Sequence, residues 1–196
     1  MALRGVIFDL DGTLIDSRLD FEAMRREMGF PVGQPILEGI EALPPGDQRE
    51  QCLAILERHE RQGAESATLM PGARELLAGL VHMPVAILTR NSRPLTDRAL
   101  DRLNLRFSPV LTRDDAPPKP DPTGLLHICQ AWNIAVTEAI FIGDFRFDIE
   151  AGRAAGMATV LYAPDGPPDY AKEADFVVSD LEEVLGVIAQ WGAPRG

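Results

Sequence analysis

The stretch Val6-Ile7-Phe8-Asp9-Leu10-Asp11-Gly12-Thr13 decides the expected fold. Its first three residues are consecutive and apolar, which is typical of a short buried strand, and we predict a strand over Leu3–Leu10. The apolar run stops at Asp9, where a polar turn begins in which Gly12 lets the chain bend sharply. The sequence therefore predicts two acidic side chains at the end of a buried strand.

Strand and helix patterns alternate along the second part of the chain. This alternation predicts an α/β fold with a Rossmann-like, mainly parallel sheet and helices on both faces. Ligands of such sheets bind beyond the carboxyl ends of the strands. The further predicted strands are Val85–Leu88, Val110–Leu111, Ala139–Ile142, Thr159–Tyr162 and Phe176–Val178. One of the helices between them is expected to start at Asp121-Pro122, and the tail from Trp191 to Gly196 is expected to fray.

The segment between the first strand and this alternation has a different pattern. Residues 16–70 contain helical patterns and no convincing strand, and four prolines divide them into short helices. One of these helices is expected to start with a capping box formed by Asp47 and Glu50. We therefore predict a core domain of residues 1–15 and 71–196 and a small all-helical cap domain of residues 16–70, hereafter the insert.

The composition restricts the classes of partner. The chain has 196 residues, 45% of them hydrophobic, and a formal net charge of −11, which suits one full-size domain with an insert. An acidic chain without a run of lysines and arginines is not expected to bind nucleic acid. No segment approaches the roughly 18 apolar residues of a membrane span, and the first residues lack a signal core. Cys52 and Cys129 have no metal-ligand spacing. We expect a cytoplasmic protein of unspecified oligomeric state.

Asp9 and Asp11 are candidates for chemistry because they stand two positions apart at the end of the strand. An extended backbone directs alternate side chains to the same side, where two carboxylates repel each other and favour a cation. One carboxylate can attack phosphorus while the other handles the proton. A strand followed by an ordinary Asp-Gly turn gives the same short pattern, so the pair alone leaves both interpretations open.

Thr89 and Lys119 are candidates for binding a phosphate group. Thr89 ends a predicted strand just before a helix, where a hydroxyl and free amides suit an anion, although a helix cap is the commoner explanation. Lys119 lies in a loop whose prolines restrict the backbone and hold the ammonium in place. A solvated surface lysine is the alternative. Neither residue decides the function by itself.

Asp144 and Asp148 form a second acidic pair after another predicted strand. Their spacing of four at a helix start would bring both carboxylates to one side. Near Asp9, such oxygen ligands suit Mg²⁺. Taken singly, Asp144 could be a helix cap and Asp148 a surface acid. An acid pair, a hydroxyl, a lysine and a second acid pair nevertheless follow successive strand ends or loops, and this joint pattern indicates a catalytic site.

The order of these motifs resembles that of the haloacid dehalogenase superfamily. The resemblance extends from Val6 to about Gly156, and the insert is similar to the small cap of the phosphoglycolate phosphatase-like branch. The positions similar to the four family motifs are Asp9-Leu10-Asp11-Gly12-Thr13, Thr89, Lys119, and Gly143-Asp144 with Asp148.

The resemblance implies a mechanism through an aspartyl-phosphate with Mg²⁺ as the cofactor. Asp9 would be the nucleophile and a metal ligand. Asp11 would protonate the leaving group, then activate water, and would bind the metal through its backbone carbonyl. The other implied roles are phosphate binding for Thr89 and Lys119 and metal binding for Asp144 and Asp148, with support of Lys119 as another role for Asp148.

One position departs from the pattern of that branch. The residue after the second-motif threonine is often asparagine, whereas here it is Arg90, with Asn91 one place later. Arg90 is therefore a further candidate for binding the substrate phosphate, or else it points to solvent. In the insert, six basic residues are candidates to meet a second anionic group, with a solvated helix face as the alternative: Arg25, Arg26, Arg49, Arg58, His59 and Arg61.

An acid at position 11 favours hydrolysis of a small phosphate monoester, because the leaving alkoxide needs a proton. The dehalogenase and phosphonatase branches of the superfamily lack an acid there. A phosphotransferase or phosphomutase resembling β-phosphoglucomutase would share both aspartates and stays an alternative. A non-catalytic binding protein is disfavoured because several like charges in one cleft are costly without a use. The expected partner is a small phosphorylated metabolite.

Overall fold

A computed structural model describes residues 2–191, and the predicted tail beyond Trp191 lies outside this range. The strands are β1 (Gly5–Phe8), β2 (Ile15–Asp16), β3 (Thr68–Leu69), β4 (Val85–Leu88), β5 (Val110–Leu111), β6 (Ala139–Gly143), β7 (Ala158–Tyr162) and β8 (Phe176–Val178). The order β5-β4-β1-β6-β7-β8 forms one parallel sheet. The predicted α/β fold with a parallel sheet is confirmed, although β1 is two residues shorter at each end than the predicted strand.

Helices cover both faces of this sheet. They are α1 (Phe21–Met28), α2 (Ile36–Glu41), α3 (Asp47–Ser66), α4 (Ala73–Gly79), α5 (Arg93–Leu103), α6 (Thr123–Trp132), α7 (Arg146–Ala155) and α8 (Glu183–Gln190). Because neighbouring residues of a strand point to opposite faces, Phe8 packs in one apolar layer with Leu76 of α4 and Leu100 of α5. Ile7 packs in the other layer with Ile128 of α6. β1 is therefore buried on both sides and lies at the centre of the core.

The insert has an apolar cluster of its own. Its helices α1, α2 and α3 enclose buried side chains that include Met24, Ile40 and Leu56. The insert is not purely helical, because β2 and β3 pair in antiparallel register where it leaves and rejoins the core. The prediction that residues 16–70 contain no strand is therefore wrong at both ends, where runs of only two residues give no sequence signal.

Two helix starts differ in detail from the prediction. α3 begins at Asp47, but Gly46 is the cap residue and no side chain caps the helix, so the predicted capping box with Glu50 is wrong. α6 begins at Thr123, just after the predicted Asp121-Pro122 pair, and Asp121 Oδ1 accepts a hydrogen bond from the Thr123 N–H at 2.8 Å. Among the helices of residues 2–191, none has the length and apolar character that a membrane span requires.

Candidate active site

Three neighbouring strands bring the candidate residues to one edge of the sheet. β1 lies between β4 and β6 and pairs in parallel with both. Asp9 follows β1, Thr89 follows β4 and Asp144 follows β6, so all three stand at the same carboxyl edge. Lys119 comes from the loop before α6, and Asp148 comes from the first turn of α7. The parallel sheet thus gathers residues that are distant in the sequence.

Lys119 links the first motif to the fourth. The residue is only 2% exposed, so the alternative of a solvated surface lysine is wrong. Its Nζ donates to Asp9 Oδ1 at 2.5 Å and to Asp148 Oδ1 at 2.6 Å. Burial alone would lower the pKa of this ammonium, but Asp148 and Asp9 together outweigh burial and raise the pKa above its ordinary value. The lysine therefore carries its charge throughout the neutral pH range.

Three acids form a cluster beside this lysine. Asp9, Asp144 and Asp148 each offer one carboxylate oxygen, and these oxygens all lie within 4.8 Å of one another. Burial, and then the charge of Asp148, raises the pKa of Asp144 to about 7. Burial also raises the pKa of Asp9 well above its ordinary value, against the opposing effect of Lys119. A cation relieves repulsion among buried carboxylates, so the donor set fits a divalent metal that prefers hard oxygen ligands.

The structure excludes the simpler explanations for the fourth motif. Phe145, not Asp144, is the cap residue of α7, and Asp144 Oδ1 accepts a hydrogen bond from the Thr13 hydroxyl at 2.9 Å. Asp148 is 2% exposed and is therefore no surface acid. Its Oδ2 accepts a hydrogen bond from the Phe145 N–H at 2.9 Å, while its Oδ1 accepts from Lys119. Both acids are thus held in fixed orientations.

Two glycines allow the backbone to approach these acids closely. Gly12 has a φ of 80°, and a Cβ at this position would overlap the carboxylate of Asp144. A Cβ on Gly143 would overlap the side chain of Asp148. The packing of backbone against both carboxylates therefore requires glycine at each position.

Asp11 has surroundings that differ from those of Asp9. One of its carboxylate oxygens accepts a hydrogen bond from Asn91 Nδ2, whereas Oδ1 is buried and has no hydrogen-bond partner within residues 2–191. Burial raises the pKa of Asp11, and the neighbouring polar side chains of Ser17 and Asn91 oppose this shift. The same side chains and Glu60 of α3 border a cavity of about 10 Å³, roughly the space of one water molecule. A raised pKa and an unpartnered oxygen suit an acid that exchanges a proton.

Thr89 is not a helix cap. The cap residue of α5 is Ser92, three positions later, so the commoner explanation for this threonine is wrong. Thr89 is 3% exposed, its N–H donates to the Leu111 carbonyl at 2.9 Å, and its Oγ1 accepts from the Asn91 N–H at 3.2 Å. The hydroxyl is therefore fixed at the edge of the sheet, and its role in binding phosphate stays a prediction.

This arrangement matches a known family. The model of the haloacid dehalogenase-like hydrolases matches residues 3–156, the part of the chain that contains all four motifs. The chain belongs to this family. It is 34% identical to a haloacid dehalogenase-like hydrolase domain-containing protein of Arabidopsis thaliana, over 95% of this chain and 84% of that protein.

Further comparisons agree with this assignment. The hydrolase is 30% identical to a phosphoglycolate phosphatase of Pseudomonas savastanoi pv. phaseolicola, over 92% of this chain and 78% of that protein. Among solved structures, a hydrolase from Pseudomonas syringae superposes with a TM-score of 0.77 at 24% identity, over 95% of this chain and 98% of the other. The likeness at this identity shows a shared fold. The family model and the relatives together identify the chain as a haloacid dehalogenase-like hydrolase.

Arg90 joins the second-motif loop of this hydrolase to its insert. Its Nη2 donates to both carboxylate oxygens of Glu38 in α2, each at 2.8 Å. Its Nη1 donates to the backbone carbonyl of Lys119, and its guanidinium carbon lies 4.5 Å from the centroid of the Phe147 ring. The alternative that Arg90 points to solvent is wrong, and its predicted contact with substrate phosphate stays a prediction.

A second ion pair between core and insert was not foreseen from the sequence. Arg113, which follows β5, donates to both carboxylate oxygens of Glu60 in α3, at 2.5 and 3.0 Å. Its Nη1 also donates to the carbonyl of Arg90 at 2.9 Å. Burial raises the pKa of Glu60, and Arg113 opposes this shift. No local pattern could identify Glu38 or Glu60, because an acid on a helix is ordinarily solvated.

Several basic residues of the insert are paired within it. Arg25 donates to Glu22 and to the backbone carbonyl of Gln34. Arg58 and His59 both contact Glu27. These pairs occupy three of the six basic residues that the sequence offered for a second anionic group. For Arg26, Arg49 and Arg61 that role stays a prediction.

Proposed function

We propose that this hydrolase cleaves small phosphate monoesters through an aspartyl-phosphate on Asp9. The observation that carries the proposal is the arrangement of Asp11: one carboxylate oxygen is held by Asn91, and the other is buried without a partner in the described chain. A phosphate ester needs such a group, because its alkoxide leaving group must receive a proton. Burial raises the pKa of Asp11, which favours the protonated form before the reaction.

In the first step of the proposed mechanism, a carboxylate oxygen of Asp9 attacks phosphorus. The bond between phosphorus and the leaving oxygen breaks, and that oxygen takes the proton of Asp11. The Nζ of Lys119 lies 2.5 Å from Asp9 Oδ1. Its positive charge offsets negative charge on the attacking carboxylate and on the phosphoryl group. Thr89 has its hydroxyl at the same edge of the sheet and holds a phosphoryl oxygen.

In the second step, water attacks the phosphorus of the aspartyl-phosphate. Asp11, now ionised, takes a proton from this water, and the bond between phosphorus and the Asp9 oxygen breaks. Inorganic phosphate leaves, and both aspartates return to their starting protonation states. The same carboxyl group thus acts first as an acid and then as a base.

The acid cluster is the proposed site of Mg²⁺. Asp9, Asp144 and Asp148 would hold the ion, with the backbone carbonyl of Asp11 as a further ligand. The cation would offset the charge of the phosphoryl oxygens and of the carboxylates around it. Hard oxygen donors without a histidine or cysteine ligand in the cluster favour Mg²⁺ over a softer metal.

The proposed substrates are compact. The insert is small, which favours a compact substrate over a large one. A relative is named phosphoglycolate phosphatase. Phosphoglycolate, a two-carbon phosphate ester, is therefore our first candidate substrate.

Release of inorganic phosphate tests the proposed function directly. The substrates are p-nitrophenyl phosphate and a panel of phosphorylated metabolites, each with Mg²⁺, with EDTA and with the variant Asp9→Asn. We expect hydrolysis with Mg²⁺ and none above background with EDTA or with the variant. Undiminished turnover by Asp9→Asn would overturn the covalent mechanism. Absence of phosphate release from every ester by the wild-type protein would overturn the phosphatase function.

A further inference from the structure

Arg90 has the contacts of a carboxylate receptor. One nitrogen of its guanidinium, Nη2, donates to both carboxylate oxygens of Glu38, each at 2.8 Å. The Phe147 ring and the Lys119 carbonyl fix the orientation of the guanidinium from the core side. A planar guanidinium that is fixed in this way binds a carboxylate with little loss of conformational entropy. Its present partner comes from a short helix of the insert.

Arg90 also lies beside the residues that are expected to bind the phosphate group. It directly follows Thr89, it contacts the backbone of Lys119, and it precedes Asn91, which holds Asp11. The phosphoryl group is expected at Thr89 and Lys119, and the leaving oxygen is expected at Asp11. A leaving group that extends from this point toward the insert therefore comes next to the Arg90 side chain.

The carboxylate of Glu38 can be replaced at low cost. Its side chain is 42% exposed, whereas that of Arg90 is only 20% exposed. Loss of the contact would return the glutamate to water, while the largely buried arginine would be left without an anionic partner. The second ion pair is built differently, because the Glu60 side chain is only 5% exposed and cannot be solvated without moving α3. Of these two glutamates, Glu38 is the one that a ligand can displace.

We propose that Arg90 determines specificity by binding a carboxylate on the leaving group, and that Glu38 occupies this place until the substrate displaces it. The assignment rests on the proposed phosphatase function and narrows its substrates to phosphate esters of hydroxy acids. It gives the insert a competing role: Glu38 lowers the apparent affinity for such esters, since it must leave Arg90 before the substrate binds.

The test compares substrates that differ only in the carboxylate. Phosphoglycolate is matched with ethyl phosphate, and 3-phosphoglycerate is matched with glycerol 3-phosphate. The measured quantity is the preference, the ratio of kcat/KM for the acid to kcat/KM for its neutral partner. For Arg90→Gln we expect the preference to fall by about 10- to 100-fold, the usual value of hydrogen bonds to a charged group. For Glu38→Gln we expect it to rise by about threefold or more, because the competing carboxylate is gone.

The two variants are expected to change the preference in opposite directions. This difference separates substrate recognition from a purely structural contact. If the pair only fastens α2 to the core, either substitution breaks the same bond and both variants change in the same direction for every ester. That outcome, or an unchanged preference in both variants, would overturn the assignment. Glu41→Gln on the same helix and Arg98→Gln, which breaks the exposed pair with Glu65, are matched controls. Both controls are expected to keep the wild-type preference.

Ligand binding to the Asp9→Asn variant, measured by calorimetry, tests the role of Arg90 separately from the proposed phosphatase function. We expect this variant to bind phosphoglycolate more tightly than ethyl phosphate, and the difference to shrink when Arg90→Gln is added. Equal affinity for the two ligands would contradict the role of Arg90 whatever the turnover. Selective binding of phosphoglycolate, combined with no phosphate release by the wild-type enzyme, would contradict the proposed function and support the role of Arg90.

Discussion

The ammonium of Lys119 donates to the carboxylate of Asp148 at 2.6 Å, and both side chains are nearly inaccessible to solvent. The same ammonium reaches Asp9, so one buried cation lies between two buried acids. Pairs of this kind contribute modestly to stability when complete, but loss of one member leaves a buried charge without compensation. Lys119 is therefore both a candidate catalytic group and a requirement for folding of the site.

Replacement of this lysine is expected to lower stability as well as activity. Lys119→Met leaves Asp9 and Asp148 without their cation, and we expect the free energy of unfolding to fall by about 3–5 kcal/mol. Urea denaturation followed by circular dichroism measures the change. Lys172→Met is the matched control at an exposed lysine and is expected to change stability by less than about 0.5 kcal/mol. Equal stability of both variants would show that the buried pair is dispensable.

The proton of Asp11 is expected to matter more for poor leaving groups. Asp11→Asn should lower kcat for alkyl phosphates by about 10²- to 10⁴-fold, the range of general acid–base catalysis. Formation of the aspartyl-phosphate from p-nitrophenyl phosphate should be slowed much less, because p-nitrophenolate leaves without a proton. The initial burst of p-nitrophenol in rapid mixing reports this step. Asp97→Asn at an exposed helix position is the control, and equal losses of the burst and of alkyl-ester turnover would contradict the role of Asp11.

Asn91 is expected to act by holding Asp11 in place. It donates to one Asp11 oxygen through its side chain and to Thr89 Oγ1 through its backbone, and only the first contact depends on the side chain. Asn91→Ala should therefore lower kcat for alkyl esters by about tenfold, the equivalent of one hydrogen bond to a charged group, with little change in KM. Ser92→Ala, whose side chain does not cap α5, is the control. A rise in KM with unchanged kcat would instead indicate that Asn91 binds the substrate.

The stability of the metal-free protein is expected to fall as the pH rises from about 4 to 7. The pKa of Asp144 is raised from 3.8 to about 7, so within this window the folded state keeps a proton that the unfolded state has lost. Folding then becomes less favourable with rising pH, by up to about 4 kcal/mol for a shift of this size. Thermal unfolding in EDTA across this range measures the effect.

Mg²⁺ and one variant provide the controls for this pH dependence. Mg²⁺ at pH 7.5 should raise the melting temperature more than at pH 5, because only the ionised carboxylates bind it. Asp144→Asn should give a flatter pH profile and a smaller response to Mg²⁺. A wild-type melting temperature that depends on pH in the same way as that of Asp144→Asn would contradict the raised pKa of Asp144.

The central part of the fold could be predicted because its signals are local. The apolar run at Val6-Ile7-Phe8 and the later runs are buried on both faces, and such strands are marked by composition alone. Residues at the strand ends then had to meet, since parallel strands share one carboxyl edge. Asp9, Thr89 and Asp144 are at that edge, and Lys119 and Asp148 are next to them.

The contacts between core and insert could not be predicted in the same way. Arg90–Glu38 and Arg113–Glu60 join residues whose separation depends on how two apolar clusters are placed against each other. Pro35 marks the start of α2 but does not distinguish Glu38 from any other acid in a first helical turn, and Glu60 lies inside the long helix α3 with no local signal beside it. The short pair of β2 and β3 was missed for a related reason, because two-residue strands form only when the tertiary structure brings them together.

Burial of Lys119 has a practical consequence for chemical labelling. The chain contains only two lysines, at positions 119 and 172, and the second is exposed. Of the two lysine side chains, an amine-reactive dye should therefore modify only Lys172 in the folded protein, and after a reaction at high pH the fluorophore on this side chain is distinguishable by peptide mapping from one on the α-amino group. Label found on Lys119 by peptide mass spectrometry would show that the candidate site becomes exposed to solvent, and the rate of labelling would measure how often this occurs.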